Sequence, residues 1–467
     1  MKVTQIYNTV NSIARQMWGE DALTTVDNRG IIALGESVLS SDTDKEKYLN
    51  VLADRIGKTI LRTLDLELDF PNLLRNSYEW GSIIQKINIQ PFSAKSQLAW
   101  EIGEDGFTPN NFAIDKPTVT QTFFKGANAF EFDVTIPDTM LKTSFLGATE
   151  YGAFLDGIMS ALTDSMTMAL NNMSYDAINN FVAEKLKAGN GVINVLLGYN
   201  SQAGTSYTSL TEALDDKEFY RYMGMTIRNI MKYMSKPSKL YNMAGMVRAT
   251  ARDNMHVILS SDVMSGFTSY LSADTFHDEL VNLNGYAEFV TLQASGNSGI
   301  PNIEKNTKIN VIPASNEENN NTAIEGEGII GIITDREAIG IGYDDMFSAV
   351  DRNNRNRYSN MTSGCTRMWY NDVSENGVVI VANTHGISVN KSTLTFANPS
   401  ADTQTITATT SPAGETVTWS SSDSEVATVS NGVVTPVGKG TCTITATSVI
   451  KGVTYKATTT VTVTANS

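Results

Sequence analysis

The sequence predicts an α+β body followed by an all-β C-terminal sandwich, on three observations. Residues 386–467 hold 21 Thr among 82 residues and alternate apolar with polar side chains in runs such as TITATT, VATVS and TTTVTVT. That is the period-two pattern of half-buried strands. From Tyr151 to about Lys187 apolar residues recur at three- and four-residue steps, marking one face of a long amphipathic helix. Between and around these segments helices and strands mix without a regular βαβ repeat, which separates the body from doubly wound folds.

In chain order, residues 82–137 predict a long hairpin excursion. Ile87 and Ile89 alternate on the outgoing strand, Phe130, Phe132, Val134 and Ile136 on the return, and Gly103, Gly106 and Pro109 interrupt the distal part. A two-stranded arm does not stabilise itself in water, so its apolar face is expected to lie on something else, in an assembly the neighbouring subunit. The long helix follows as a spine over 151–188, stopped by Gly189; it would be roughly 55 Å long if unbroken. Its Met-rich stripe reads as a core face rather than a binding face. A Gly, Ser and Asn-rich link is expected over about 189–210, then a second helix from Asp216 to Met234 with Phe219, Met223, Ile227, Ile230 and Met234 on one side. MHVILSSD (255–262) and KINVIPAS (308–315) read as strands, and GIIGIITDREAIGIG (328–342) as a strand pair. In the C-terminal region turns are expected at Pro412-Ala413-Gly414, Asn431-Gly432 and Gly438-Lys439-Gly440, with Trp419, Val426, Val429, Val433, Ile444 and Ala446 facing the core.

The net charge is −15, and from Gly386 onward four Lys balance four acids, so the whole deficit lies in residues 1–385. Such an acidic body repels nucleic acid, which argues against specific DNA binding. No stretch approaches the roughly 18 apolar residues of a membrane helix, and the opening MKVTQIYNTVNSIARQMW has no continuous apolar block of the signal-peptide kind. A soluble protein without a membrane partner is expected. Cys365 and Cys442 are the only cysteines and fall in different domains, which fits folding in a reducing cytoplasm, each as a small buried apolar residue.

No constellation for catalysis, a metal or a cofactor stands out. His256, His277 and His385 are isolated, without HExxH or Cys-His spacing. Gly340-Ile341-Gly342 has two glycines of a phosphate loop but lacks the third, and reads as a strand-end turn. Asp344 and Asp345 are adjacent, so on a strand they point to opposite sides and form no acid/base pair. The run NEENNNTAIEGEG (316–328) has oxygen ligands without EF-hand spacing and reads as a mobile loop. Arg352, Arg355 and Arg357 form a dense basic cluster for which three readings stay open. In order of preference they are a solvated turn, an ion-pair site between subunits, and a DNA-facing patch.

The segment 419–447, with its Trp-Ser-Ser opening, Val-Ala-Thr-Val strand, Gly-Val-Val turn and Gly-Lys-Gly-Thr hairpin, closely resembles the bacterial immunoglobulin-like group 2 family. LADRIGKTILRTLDLE (52–67), the hairpin arm, the spine and YNMAGMVRATARDNMHVILSSDVMSGFTSYLS (241–272) resemble, in that order, the major capsid proteins of tailed bacteriophages, especially the phi29-type group. The resemblance implies a Hong Kong 97-type capsid fold with an N-terminal arm (1–50) and a capsid body (51–385). Within the body it implies an extended loop (82–137), a peripheral domain (138–214) with the spine helix (151–188), an axial domain (215–345) and a return to the peripheral domain (346–385). An immunoglobulin-like domain (386–467) follows.

The implied function is that of a self-assembling shell subunit, not an enzyme, without cofactors. Its partners would be itself in hexamers and pentamers, a scaffolding protein and a portal, enclosed double-stranded DNA and, through residues 386–467, host-surface or mucosal glycans. It would be made in the host cytoplasm and reside in the virion. Lys86, Lys95 and Lys116 do not match the Lys–Asn crosslinking of some members of the fold class, so no crosslink is expected. A surface adhesin predicts a signal peptide and tandem immunoglobulin-like copies; a hydrolase with an appended module predicts a convergent nucleophile or metal set.

Overall fold

The structure is a computed structural model of the 467-residue chain and describes residues 11–17, 28–63, 68–74, 83–90, 116, 119–125, 127–267, 286–289, 292, 308–316 and 322–464. Two compact units emerge. Met1–Lys86, Gln121–Ser174 and Gly340–Tyr370 form the first; Ile87–Thr120, Tyr175–Ile339 and Asn371–Ser467 form the second.

In the first unit, helices α1 (Asn28–Val38) and α2 (Asp42–Thr63) accompany a three-stranded sheet of order β10-β11-β3. Its strands are β3 (Ala127–Pro137), β10 (Ile339–Asn353) and β11 (Tyr358–Asn371). β3 alternates as its sequence demands, and Val134 lies opposite Met361 of the antiparallel β11. The return strand is therefore not the partner of the outgoing one. β1 (Ile83–Ile89) pairs instead with β2 (Val119–Lys125), residues 87–89 and 119–120 being counted in the second unit, and Gly126 separates β2 from β3 in the sequence, a residue that weakens strand interiors. After the short α3 (Asp138–Ser144), the spine is a single helix, α4 (Ala148–Ala188), of 41 residues, counted in the first unit up to Ser174 and in the second from Tyr175. Tyr48 and Tyr151, both buried, share a hydroxyl–hydroxyl hydrogen bond of 2.7 Å. The ring of Phe145 lies 5.5 Å from each of theirs.

In the second unit, β4 (Val192–Asn194), β5 (Met255–Ser260), β6 (Tyr286–Phe289), β9 (Ile329–Asp335) and β12 (Gly377–Val381) form a mixed sheet of order β4-β12-β9-β5-β6. β9 and β12 are buried almost throughout, as continuous apolar central strands should be. Helices α5 (Val195–Ala203) and α7 (Lys217–Met234) contribute to one apolar core with this sheet through Leu196, Phe219, Met223 and Ile230 against Val257, Ile333 and Val378. Short helices α6 (Leu210–Ala213) and α8 (Ser261–Gly266) and the antiparallel pair β7 (Ile309–Val311) and β8 (Ile324–Gly326) complete the body part.

Three expectations change here. The link over 189–210 contains β4 and α5, because Asn194 caps α5 by accepting from Leu197 N at 3.2 Å and Gly204 closes it in the left-handed conformation. The pair expected at 328–342 splits between two sheets. The run 316–328 is not simply a loop, since it holds β8; residues 317–321 of it lie outside the described residues.

Residues 386–464 form a β-sandwich. β13 (Gly386–Val389) pairs with β16 (Ala408–Ser411). β14 (Thr393–Phe396), β17 (Val417–Ser421), β20 (Gly440–Ile450) and β21 (Val453–Val463) form a sheet of order β14-β21-β20-β17. β15 (Gln404–Thr405), β18 (Ala427–Ser430) and β19 (Val433–Pro436) form one of order β15-β19-β18. The core holds Phe396, Val426, Val434, Cys442, Ile444 and Val461, with Trp419 and Val429 packed at its margin and Ala446 also buried. Val433 points outward instead of inward, 38% exposed. Asn431 and Gly432 both take positive φ, 47° and 83°, the two-residue turn that matches strand twist. That turn sets Ser430 opposite Val433 and Val429 opposite Val434, so Val434 takes the inward place.

Candidate functional site

Three places combine unusual chemistry with a defined scaffold. The first is the ribbon of β1 and β2. In an ordinary half-buried strand the apolar residues turn inward. Here Ile87 and Ile89 are 57% and 63% exposed while Asn88 between them is buried, and Val119 and Phe123 on β2 are exposed too. A ribbon with its apolar side chains in water is an incomplete structure that a further surface would complete. Residues 91–115, the expected distal part, lie outside the described residues.

The second place is a charge network in the first unit. Arg352, near the end of β10, has a side chain only 3% exposed. Its guanidinium donates to both carboxylate oxygens of Asp138, at 2.9 and 3.0 Å, and to Asp42 at 2.9 Å. Lys45 adds contacts to Asp42 at 3.0 Å and Asp138 at 3.7 Å. The Arg352 hydrogen bonds hold the Asp138 carboxyl below its ordinary range, and Lys45 foremost does the same for Asp42. Arg352 is thus an intramolecular hub, which none of the three sequence readings describes. The bidentate geometry of a planar guanidinium on a carboxylate explains why the pair tolerates burial. Arg355 and Arg357 remain exposed in the β10–β11 turn, with Arg357 at φ 54°.

The third place is a clasp inside the second unit between the sandwich and the body. The β20–β21 hairpin turns through Lys451 and Gly452, both at positive φ. Glu325 N donates to Lys451 O at 3.1 Å, and Lys451 Nζ reaches Glu327 at 2.9 Å, where Lys308 also approaches at 3.5 Å. Lys451 foremost holds the Glu327 carboxyl below its usual range. A Cβ on Gly452 would meet Ile324 at 2.9 Å. Further along β21, Lys456 Nζ donates to Ala188 O at 2.6 Å, a cation on the carbonyl end of the spine helix. Gly189 caps that helix at φ +59°, and a Cβ there would collide with the Thr454 carbonyl.

One further group is unusual. Lys185 is fully buried, donates to Tyr241 O at 2.7 Å and lies 5.6 Å from the Phe181 ring centroid. Burial pulls its pKa down to about 7.

The remaining sequence candidates stay apart. His256 sits in β5 opposite Thr334, His385 joins the sandwich junction through its backbone, and His277 lies outside the described residues. Gly340 to Asp345 run inside β10 rather than at a strand-end turn, because Gly340 lies against the Tyr370 ring of β11 and the strand continues to Asn353. Among the described residues no three His, Cys, Asp or Glu gather as a metal-ligand set, and no helix is long and apolar enough to cross a membrane. Arg352 and the clasp lysines escape sequence reading because their partners lie far away in the chain.

Comparison with known proteins adds two family matches. The pattern of the family described as Phi29-like phage major capsid protein matches residues 8–381, and that of the bacterial Ig-like domain (group 2) matches residues 384–461. Among curated relatives, the major capsid protein of Bacillus phage PZA is 22% identical over 266 residues, 56% of this chain and 54% of that protein. The major capsid protein of Streptococcus phage Cp-1 is 21% identical over 234 residues, 50% of this chain and 60% of that protein. The chain thus spans a little over half the length of these relatives. A chain from the capsid structure of Staphylococcus phage Andhra aligns with TM-score 0.46 and 8% identity, covering 68% of this chain and 86% of its own. One from the capsid of Cyanophage P-SCSP1u gives 0.40 and 10%, covering 67% and 87%.

Proposed function

This chain belongs to the Phi29-like phage major capsid protein family, and from that membership we propose that it is a structural shell subunit, not an enzyme, that assembles with copies of itself around double-stranded DNA. The observation that carries this reading is the β1–β2 ribbon with Ile87, Ile89, Val119 and Phe123 in water. In a shell of hexamers and pentamers each ribbon lies across a neighbouring subunit and buries those side chains there, as extensive obligate interfaces do. The Hong Kong 97-type division follows: arm 1–50, extended loop 82–137, peripheral domain 138–214 completed by 346–385, axial domain 215–345, and immunoglobulin-like domain 386–467. The subunit is made in the host cytoplasm, assembles with a scaffolding protein and a portal, and resides in the virion. The immunoglobulin-like domain faces outward and meets host or mucosal glycans. Its exposed Thr393, Thr395, Thr458 and Thr460 give that face hydroxyls suited to sugars.

The test is electron microscopy of the full chain, expressed with and without a candidate scaffolding protein. Closed shells or hexamer arrays are expected, and an Ile87→Ser/Ile89→Ser/Phe123→Ser variant should fold yet fail to form them. A chain that stays monomeric under all conditions would overturn the reading.

A further inference from the structure

Residues 219–252 contain seven of the chain's 35 Lys and Arg and none of its 50 Asp and Glu. The rest of the chain therefore carries 28 basic against 50 acidic residues, a net −22. Part of this positive charge is already used within the second unit. Arg221 pairs with Glu218 at 3.0 Å, Arg248 pairs with the buried Glu375 at 3.1 Å, and Arg228 is engaged as well. Arg252 adjoins Asp253, and Arg336 N donates to the neighbouring Asn254 O at 2.7 Å. Asp335 and Glu337 flank Arg336, so that edge is mixed in sign.

Lys232, Lys236 and Lys239 are different. All three are exposed, and among the described residues none has an ion-pair partner. Ser235 N donates to Met231 O at 3.2 Å and Lys236 N to Tyr233 O at 3.0 Å, so the helical turn continues past Met234 and stacks Lys236 one turn beyond Lys232. Paired backbone bonds of 2.9 Å between Ser238 and Arg248 then close the loop that presents Lys239 and Leu240. Tyr233 follows Lys232 and Leu240 follows Lys239 in the sequence, and the two keep 61% and 70% of their surface in water.

We propose that this patch, Lys232, Tyr233, Lys236, Lys239 and Leu240, docks on a carboxylate-rich surface of a second copy of this chain. The proposal rests on the shell reading and assigns it an electrostatic contact separate from the β1–β2 ribbon. A partner of the same sequence supplies the opposite charge in excess. Tyr233 and Leu240 gain nothing from a phosphate backbone, whereas an interface core favours apolar and aromatic side chains ringed by charge. Three unpaired lysines release few counterions from DNA. The helical turn under Lys232 and Lys236 and the bonded loop under Lys239 fix the backbone that bears them, which lowers the ordering cost of docking.

The experiment uses the full chain and a Lys232→Glu/Lys236→Glu/Lys239→Glu variant. Sedimentation velocity from low salt to about 0.5 M is read beside retardation of a duplex DNA fragment and thermal unfolding. The wild type should self-associate at low salt and less strongly as salt rises, and the variant should associate about tenfold more weakly at low salt at unchanged melting temperature. Leu240→Ser should weaken association without altering its salt dependence. If the triple reversal fails to fold, Lys→Gln at the same three positions replaces it, with about a threefold loss expected.

Unchanged association of the variant, a wild type monomeric at every salt, or an effect confined to DNA retention would each overturn the proposal. Normal shells from the variant would sink the patch and leave the shell reading standing. Lysine-dependent association without any shell would do the reverse.

Discussion

At Arg352 a turn sequence rich in Asn and Arg hides a buried contact, and its energetics are open to measurement. Removing one partner of a buried ion pair leaves the other without its counter-charge, so Arg352→Met should destabilise the chain by about 3 kcal/mol in denaturant unfolding. Arg355→Ala, at an exposed position, should stay within about 0.5 kcal/mol. Because Asp138 and Asp42 titrate below their ordinary values when folded, their contribution is present at neutral pH. It is lost as pH falls through the folded values. Lys185 works in the opposite sense. Its folded pKa of about 7 lies below the ordinary 10.5, so between those values the unfolded chain binds a proton that the folded chain does not. Stability then rises with pH across that window, by at most about 1.4 kcal/mol per unit. Lys185→Met should flatten that rise in a pH series of unfolding midpoints; an unchanged slope would assign it elsewhere. Above pH 10 the buried Tyr48 and Tyr151, whose hydroxyls burial pushes up, keep protons that the unfolded chain loses, and stability falls again. Neither Arg352 nor Lys185 is legible in the sequence, because burial of a charge depends on partners 214 and 56 residues away.

At the scale of elements, what was legible follows periodicity. The spine and α7 carry an unbroken apolar face, and α7 begins one residue after Asp216, whose side chain accepts from Glu218 N. The strands of the sandwich alternate strictly, and only the turn at Asn431-Gly432 shifts Val433 out of its expected place. Over 189–210 the polar composition masks β4 and α5, whose apolar residues are too few to show a period but pack on the core, half-buried in β4 and buried in α5. The partner of β3 was hidden for a related reason: alternation specifies a face, not a neighbour. The clasp depends on two glycines, and Gly189→Ala should destabilise the chain by about 1–2 kcal/mol through its positive φ. Hydrogen exchange should at the same time quicken at residues 451–456, where the added methyl meets the Thr454 carbonyl. A variant with unaltered exchange there would show that the contact carries no load.

For the whole molecule, fold class was legible from composition and periodicity together: a Thr-rich alternating tail after a mixed body. The acidic balance of residues 1–385 was legible too, but its average concealed the acid-free stretch 219–252. The body and the sandwich each close a core of their own, so a chain ending at residue 385 should still fold cooperatively. It should melt a few degrees lower, having lost the clasp bonds to Glu327 and Ala188. Calorimetry of that truncation beside the full chain checks this, and a chain that fails to fold would show the domains to be interdependent. The clasp also has a mechanical meaning. The sandwich is held covalently at Gly386 and again through Lys451 and Lys456, so a pull on it divides between two anchors. Until the second yields, the domain cannot swivel about the first, and force applied at its surface reaches the end of the spine helix as strain instead of being dissipated in a loose tether.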